Sequence, residues 1–360
     1  MKSRILILIL LFFWVPVGLA DTVTGLYRSE IILPSSLNER QLLGAAFKQA
    51  AKNVLIKVSG RPDLIESRVK DSSLQDSANW VAQHSVLASD ELIRFNEELV
   101  ETKKVVVTFY EQSINLFLID RNIAIWGGNR PSILLWLIEE NGLHRSLSGV
   151  NKPSPLLAAI ANQSTVSGLP IYAPILDEVD KNALSPSELW GFFEGEINNA
   201  SERYQTDLIS AVRVSRQQGQ FIVDLRVYFP LDEVVPLRFT TNNESEIAIT
   251  VNHLLSQLLS ERYAAVRDVN EEFSIKMRLI GLDGYNTLQK VQDYLDSITL
   301  IRSWSLSSLN DEEGIFIIQS DGGIKKLRDS ISLDSILREN KLNALDPSAN
   351  IPLSYEYNGR

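Results

Sequence analysis

The chain has 360 residues, 44% of them apolar and 22% charged, with a formal charge of −10 and no cysteine. That length exceeds what one hydrophobic core usually serves, and the apolar content excludes a disordered chain. The acidic balance repels phosphate backbones and anionic lipid, which argues against nucleic acid as a partner. Without cysteine there is neither a disulfide-built scaffold nor a lipid-modified N-terminal cysteine.

Lys2 and Arg4 precede an apolar run from Ile5 to Val15, and Pro16, Gly18 and Ala20 follow it before Asp21. This is the order of a secretory signal peptide, with cleavage expected after Ala20. The apolar run is shorter than the roughly 20 residues that cross a bilayer. The expected product is therefore periplasmic and keeps no membrane span once residues 1–20 are removed.

A first α+β domain is expected over 21–126. Val23 to Leu33 reads as a strand ended by Pro34. Ser36 with Glu39 reads as a capping box that starts a helix carrying Leu43, Phe47, Ala50 and Val54 on one face. Ser59-Gly60 stops that helix, and Arg61-Pro62 keeps it stopped. A second helix is predicted from Leu74 to Ser85. Strands from Leu92 to Val100 and Lys104 to Tyr110 follow, joined by a charged turn at Glu101-Thr102-Lys103, and a last helix carries Ile114, Phe117 and Leu118.

Gly127-Gly128-Asn129-Arg130-Pro131 clusters turn formers and marks a boundary, expected to be a linker open to proteases. The middle domain, 131–268, is read as three-layer α/β. Its strand Ile133 to Ile138 has the continuous apolar pattern of a buried strand. A helix from Ser154, a strand from Leu169 to Leu176, a proline-started helix at Ser185-Pro186 and a short helix ending at Ala200–Tyr204 follow. Strands Leu208–Val214 and Phe221–Phe229 form a hairpin across Gln217-Gln218-Gly219, and a leucine-rich helix runs from Glu244 to Tyr263. A second protease-sensitive boundary falls at Asp268–Glu272. The third domain, 271–360, is a small split β-α-β-type unit with strands Phe273–Ile280, Ile298–Leu306 and Ile315–Gln319, and helices from Tyr285 and Ile324. Its tail after Pro347 reads as poorly tied down. The expected class is α+β with an α/β middle domain, a multi-domain chain of small mixed sheets packed with helices.

No catalytic, cofactor-binding or metal-binding set is assigned, and no cofactor is implied. His84, His144 and His253 are scattered, with no ligand spacing. Ser67-Arg68-Val69-Lys70 matches a serine–lysine pattern without its K-T-G companion and reads as an exposed loop. Gly322-Gly323 before a helix is a weak anion cradle and a better hairpin exit. Asp177, Glu178 and Asp180 form an acidic cluster beyond a strand end, the edge where α/β sheets bind ligands, and read as a solvated loop with a helix start. Trp80, Trp126, Trp136, Trp190 and Trp304 are spread as separate core pieces.

Leu26-Tyr27, Glu39-Arg40 and Val54–Gly60 at the start of the chain resemble the DUF2066 family of Gram-negative bacteria. So do Gly168-Leu169-Pro170, Ala173–Asp177 and Ala200–Tyr204 further on. That resemblance implies an exported protein and no activity, because the family is itself a domain of unknown function. The layout ending in Ala200–Tyr204 and the strand Asp207–Val214 is also similar to the N-terminal domain of TolB-type periplasmic proteins and to the middle of the flagellar assembly protein T. Here Gln205-Thr206-Asp207 stands where those relatives have alanine-glycine-aspartate. The likeness implies work by binding envelope proteins. The expected function is a non-catalytic interaction or assembly factor of the cell envelope, with an envelope protein as partner. The alternative is an exported hydrolase or small-ligand binding protein whose site is not visible in sequence.

Overall fold

The structure, a computed structural model, describes residues 23–95, 97–142, 144–229, 233–264, 273–298, 300–333, 336–340 and 351–359. The expected signal segment and the boundary at 268–272 lie outside the described residues. Within them the chain is α+β and is built on three separate sheets. No helix among the described residues is long and apolar enough to cross a membrane.

The first sheet, of order β1-β3-β2, comprises β1 (Arg28–Pro34), β2 (Val81–Phe95) and β3 (Glu98–Phe109), all antiparallel. Between β1 and β2 the chain forms α1 (Glu39–Ser59), α2 (Pro62–Arg68) and two short 3₁₀ turns, and α3 (Glu111–Ile119) follows β3. Ala46, Ala50, Val54 and Val58 put a narrow apolar face of α1 onto Ile31, Val105 and Val107, and the small alanines let the helix lie close to the sheet. Asn38 caps α1 by accepting from the Gln41 N–H at 3.0 Å, so the predicted Ser36–Glu39 box is not used. Gly60 ends the helix as expected, in a left-handed conformation with φ 64°. A Cβ there would lie 2.5 Å from the Trp126 ring and 2.7 Å from Ser260 Cβ, so the site is closed to any side chain. Pro62 does not prevent a new helix but starts one, at the position where its missing N–H costs nothing.

Two further expectations fail in this unit. The helix predicted over Leu74–Ser85 is 3₁₀ turns up to Trp80 and then strand, because Val81 to Phe95 pairs along its length with β3. The turn expected at Glu101–Lys103 is continuous strand. Thr102 and Lys103 pair with Pro34 and Leu33 of β1, and the Glu101 carbonyl accepts the Ser35 N–H at 2.9 Å. The hairpin instead turns near Glu97, whose φ is 69°. Charge suggested a turn; the neighbouring strand's backbone decided otherwise.

The middle sheet, of order β5-β4-β7-β8-β9, contains β4 (Ile133–Asn141), β5 (His144–Ser148), β7 (Leu208–Gln217), β8 (Gln220–Phe229) and β9 (Glu233–Thr241). The two-residue β6 (Ile171–Tyr172) and β7 run parallel to β4. The helices are α4 (Pro155–Ser167), α5 (Glu178–Ala183), α6 (Pro186–Gly191), α7 (Glu194–Ser201) and α8 (Glu244–Tyr263). Ile133, Leu135, Leu137, Val223 and Leu225 face α4 and α8, while Leu134, Trp136 and Ile138 face α6 and α7, which gives the three expected layers. The capping box at Ser185–Glu188 is present, and Ser154 caps α4.

His253 lies on α8, which packs on α2, and burial pulls its imidazole below the ordinary value of 6.5, against the pull of Glu66 and Asp63. A histidine held neutral by folding stabilises fully above the unfolded pKa and loses that contribution as pH falls below it. We therefore expect stability to drop as pH falls below about 6.5. His253→Gln should flatten that part of the curve in urea titrations, and an unchanged slope would show that the imidazole is not responsible.

The third sheet, of order β11-β12-β10-β14-β13, contains β10 (Phe273–Ile280), β11 (Ile301–Asn310), β12 (Glu313–Ser320), β13 (Leu337–Glu339) and β14 (Leu353–Tyr357). Helices α9 (Tyr285–Ser297) and α10 (Ile324–Ile331) cover Met277, Leu279, Phe316 and Ile318. The tail read as loose supplies β14, which lies inside the sheet between β10 and β13, with Leu353 and Tyr355 buried.

Gly127–Pro131 is a packed joint. Arg130 is fully buried and donates to five carbonyls: Gly127 (2.9 Å), Trp126 (2.9 Å), Lys57 (2.5 Å), Ser167 (3.1 Å) and Gly168 (2.9 Å). These carbonyls include the last turns of α1 and α4, whose dipoles present negative charge. The Trp126 ring stacks on the guanidinium at 4.2 Å. Ser260 of α8 adds a hydrogen bond to the Gly60 carbonyl at 3.1 Å.

Candidate functional site

Several landmarks of the middle region converge on one locality. Asp177 caps α5 by accepting from the Asp180 N–H at 3.0 Å and forms two hydrogen bonds with Arg203, at 2.8 and 3.0 Å. Asp180 is buried. It accepts from the Leu176 N–H at 2.7 Å, the Tyr204 hydroxyl at 2.5 Å and Arg203 at 3.1 Å. Tyr204 in turn accepts the Ile175 N–H at 2.8 Å. Ala173–Asp177 and Ala200–Tyr204, distant in sequence, are thus joined by carboxylates.

The electrostatics follow from those bonds. Arg203 and then the Asp180 amide hold the Asp177 carboxyl down at about 2, and the two carboxylates raise Arg203 above its ordinary value. Burial and the Asp180 bond push the Tyr204 phenol up to about 12, so it remains a donor. Glu178 stands apart, exposed, and pairs only with Lys181 at 2.8 Å. Both oxygens of Asp177 and of Asp180 are occupied by donors. The cluster is a lock between loop and helix; no carboxylate is left poised to move a proton.

Beside the lock is an open pocket of about 350 Å³ lined by Ser132, Tyr172, Ile175, Tyr204, Gln205 and Thr206. Ser132 donates through its hydroxyl to Asp207 at 2.6 Å, which ties the starts of β4 and β7 together. Ser132 precedes β4 and Tyr204–Thr206 precede β7, so the pocket sits at the amino ends of these parallel strands, with Tyr172 and Ile175 added from β6 and the loop after it. Leu176 and Gln205 on its border have φ of 61° and 51°. For a bulky leucine this is strained backbone, held by the Asp180 carboxylate on its N–H.

The other sequence candidates do not gather. Ser67 lies on α2 rather than in a loop, and its hydroxyl donates to the Asp63 and Leu64 carbonyls at 2.7 and 3.3 Å. His84 meets the Phe47 ring edge to face, 5.3 Å between centroids, on β2, while His144 is on β5 and His253 on α8. Among the described residues no group of three or more His, Asp or Glu could hold a metal ion. Gly322-Gly323 leads into α10 beside Asp321, whose carboxylate pairs with Arg302 and would repel an anion.

A surface missed by the sequence reading is the β2–β3 hairpin. Among the described residues its β2 edge has no partner strand in the sheet, and beyond Pro34 the hairpin runs on as a two-stranded arm past the end of β1. Leu92 and Leu99 on this arm are 59% and 67% exposed, with Val86, Leu87 and Phe95 also exposed. A groove of about 560 Å³ opens along it beside Val86, Ala88, Asp90, Leu92, Glu101 and Lys103. The alternating Leu92–Phe95 and Leu99–Val107 segments carried the signal, but the predicted turn at Glu101 cut the arm short.

Comparison with known proteins bears on the first unit alone. Residues 20–127 match the model of a domain of unknown function, DUF8605. The expected membership of DUF2066 is thereby overturned, since short motifs such as Val54–Gly60 were shared landmarks without being specific. No curated protein and no solved structure matches the chain, so the likeness of the middle region to TolB-type proteins is without support.

Proposed function

We propose that this protein is an exported, non-catalytic interaction or assembly factor that acts in the cell envelope, and that the β2–β3 arm is its partner-binding surface. The observation that carries this reading is the exposed apolar set on the hairpin, Leu92 and Leu99 on one face and Leu87 and Phe95 on the other, beside an outer β2 edge that no strand pairs among the described residues. Exposed apolar side chains clustered on a sheet edge invite either aggregation or a partner, and native proteins otherwise cover or charge such edges. Export is proposed from Lys2, Arg4, the Ile5–Val15 run and the Ala20-Asp21 junction. The three units proposed are 21–126, 131–268 and 271–360, the first two joined at Arg130 by packing.

The test pairs two measurements. N-terminal sequencing of the fractionated protein should return Asp21, whereas an intact Met1 form in the inner membrane would show an anchor. The double variant Leu92→Ser, Leu99→Ser should leave the unfolding midpoint nearly unchanged, within about 0.5 kcal/mol per exposed site. It should nevertheless fail to complement a deletion strain at normal abundance. Full complementation would remove the arm from the function.

A further inference from the structure

The direction of the backbone groups on β2 can be read from its neighbours. Phe109 N–H donates to Tyr27 of the β1 side, whereas Tyr110 N–H donates to Trp80 at the start of β2. Odd-numbered residues of β3 therefore face β1, and even-numbered ones face β2. By register, Gln83, Ser85, Leu87 and Ser89 turn their backbone groups inward to Thr108, Val106, Lys104 and Thr102. His84, Val86 and Ala88 consequently turn their N–H and C=O groups outward. Irregularities between Val81 and Gln83 and between Ser89 and Leu92 bound this open window. Such bulges restrict edge pairing to a short segment and guard the rest of the strand against indiscriminate association.

The groove lies on the same stretch, with Val86, Ala88 and Leu92 beside Glu101. The groove runs into the arm tip, residues 90–101, which carries Asp90, Glu91, Glu97, Glu98 and Glu101 against the single cation Arg94, with Lys103 the one cation in the groove lining itself. A second copy of this acidic chain would bring like charge to like charge. A cationic strand would meet opposite charge and open backbone donors together.

We propose that the open edge of β2 receives an extended, basic and apolar segment of another polypeptide as an added strand. Backbone hydrogen bonds to His84, Val86 and Ala88 give the pairing. Apolar side chains on one face enter the groove beside Val86 and Leu92, and lysine or arginine side chains on the other meet the acidic tip, where Glu98 lies on the face opposite Leu92. This rests on the arm being the partner surface and adds how the partner is held.

The experiment uses the full mature chain and a labelled ten-residue peptide alternating valine and lysine, followed by fluorescence anisotropy. Binding is expected, and it should weaken with added salt. It should fall about tenfold or more when alternate backbone nitrogens of the peptide are methylated, or when its lysines become glutamates. Val86→Pro removes only an outward N–H and should cause a similar loss with the fold intact by circular dichroism. Glu98→Lys with Glu101→Lys provides a second variant whose charges are exposed and whose ladder is untouched. Equal affinity for the methylated peptide, or no effect of either variant, overturns the strand-addition proposal. So does a concentration-dependent dimer in ultracentrifugation that Val86→Pro abolishes, because it assigns the edge to a second copy. If Leu92→Ser, Leu99→Ser abolishes complementation while no peptide binds, the interaction role survives and only the cationic strand is refuted.

Discussion

Arg130→Met is expected to separate the thermal unfolding of the first unit from that of the middle one and to cost about 3 kcal/mol or more. The guanidinium has no carboxylate among its hydrogen-bond acceptors; its five donors go to carbonyls from α1, α4 and the joint between them. Methionine fills much of the volume but leaves those acceptors buried and unpaired, and each orphaned group costs about 1–3 kcal/mol before relaxation. The loss is comparable to a large part of a domain's stability. Lysine should rescue little, since three donors on a flexible stem cannot reproduce the planar fork. Lys57 provides an independent readout. Its amine is pulled down to about 8, first by burial and then by the Arg130 charge, and it donates to the Arg28 carbonyl at 2.9 Å. In Arg130→Met its pKa should rise, which amine-reactivity profiles against pH would detect. A single transition at the wild-type midpoint would show that the joint does not couple the units.

Asp180→Ala should be the most damaging change in the middle unit, at about 3–5 kcal/mol in urea unfolding. It takes one of the two carboxylates from Arg203 and the acceptor from the Tyr204 hydroxyl and the Leu176 N–H together, and the left-handed Leu176 loses the group that holds it. Asp177→Asn is milder, because an asparagine still caps α5. Its signature lies in pH. The wild-type carboxyl titrates near 2 in the folded chain, below its ordinary 3.8, so its contribution is complete above about 4 and disappears as pH falls through about 2. Asp177→Asn should flatten that acid limb. Charge reversal across all three acids would confuse unfolding with lost contact, so Glu178, exposed and outside the lock, is the position at which to test a surface role. Equal stability of Asp180→Ala and wild type would show that the network is dispensable.

Local signals were legible wherever a residue's own chemistry settled the matter. Gly60 ended α1, Ser154 and the Ser185–Glu188 box started helices, and the Ile133–Ile138 run became a strand buried on both faces. The acidic residues at 177–180 were visible, but their roles were not. Whether an aspartate is solvated or locked depends on what arrives from elsewhere in the chain, here Arg203 and Tyr204. The same holds for Ser67, whose hydroxyl is absorbed by its own helix.

Taken by itself, the sequence determined the α+β class, the three-layer middle unit and most helix ends, because periodicity, caps and proline act over a few residues. Tertiary structure alone decided three things. The charged stretch Glu101–Lys103 is strand because β1 supplies its hydrogen bonds. The tail Leu353–Tyr357 is an inner strand because β10 and β13 both pair with it. Arg130, in a segment that reads as a loose turn, is a buried joint because the ends of two helices bring their carbonyls to it. In each case the deciding partner is a backbone group remote in sequence, and local composition carries no record of it.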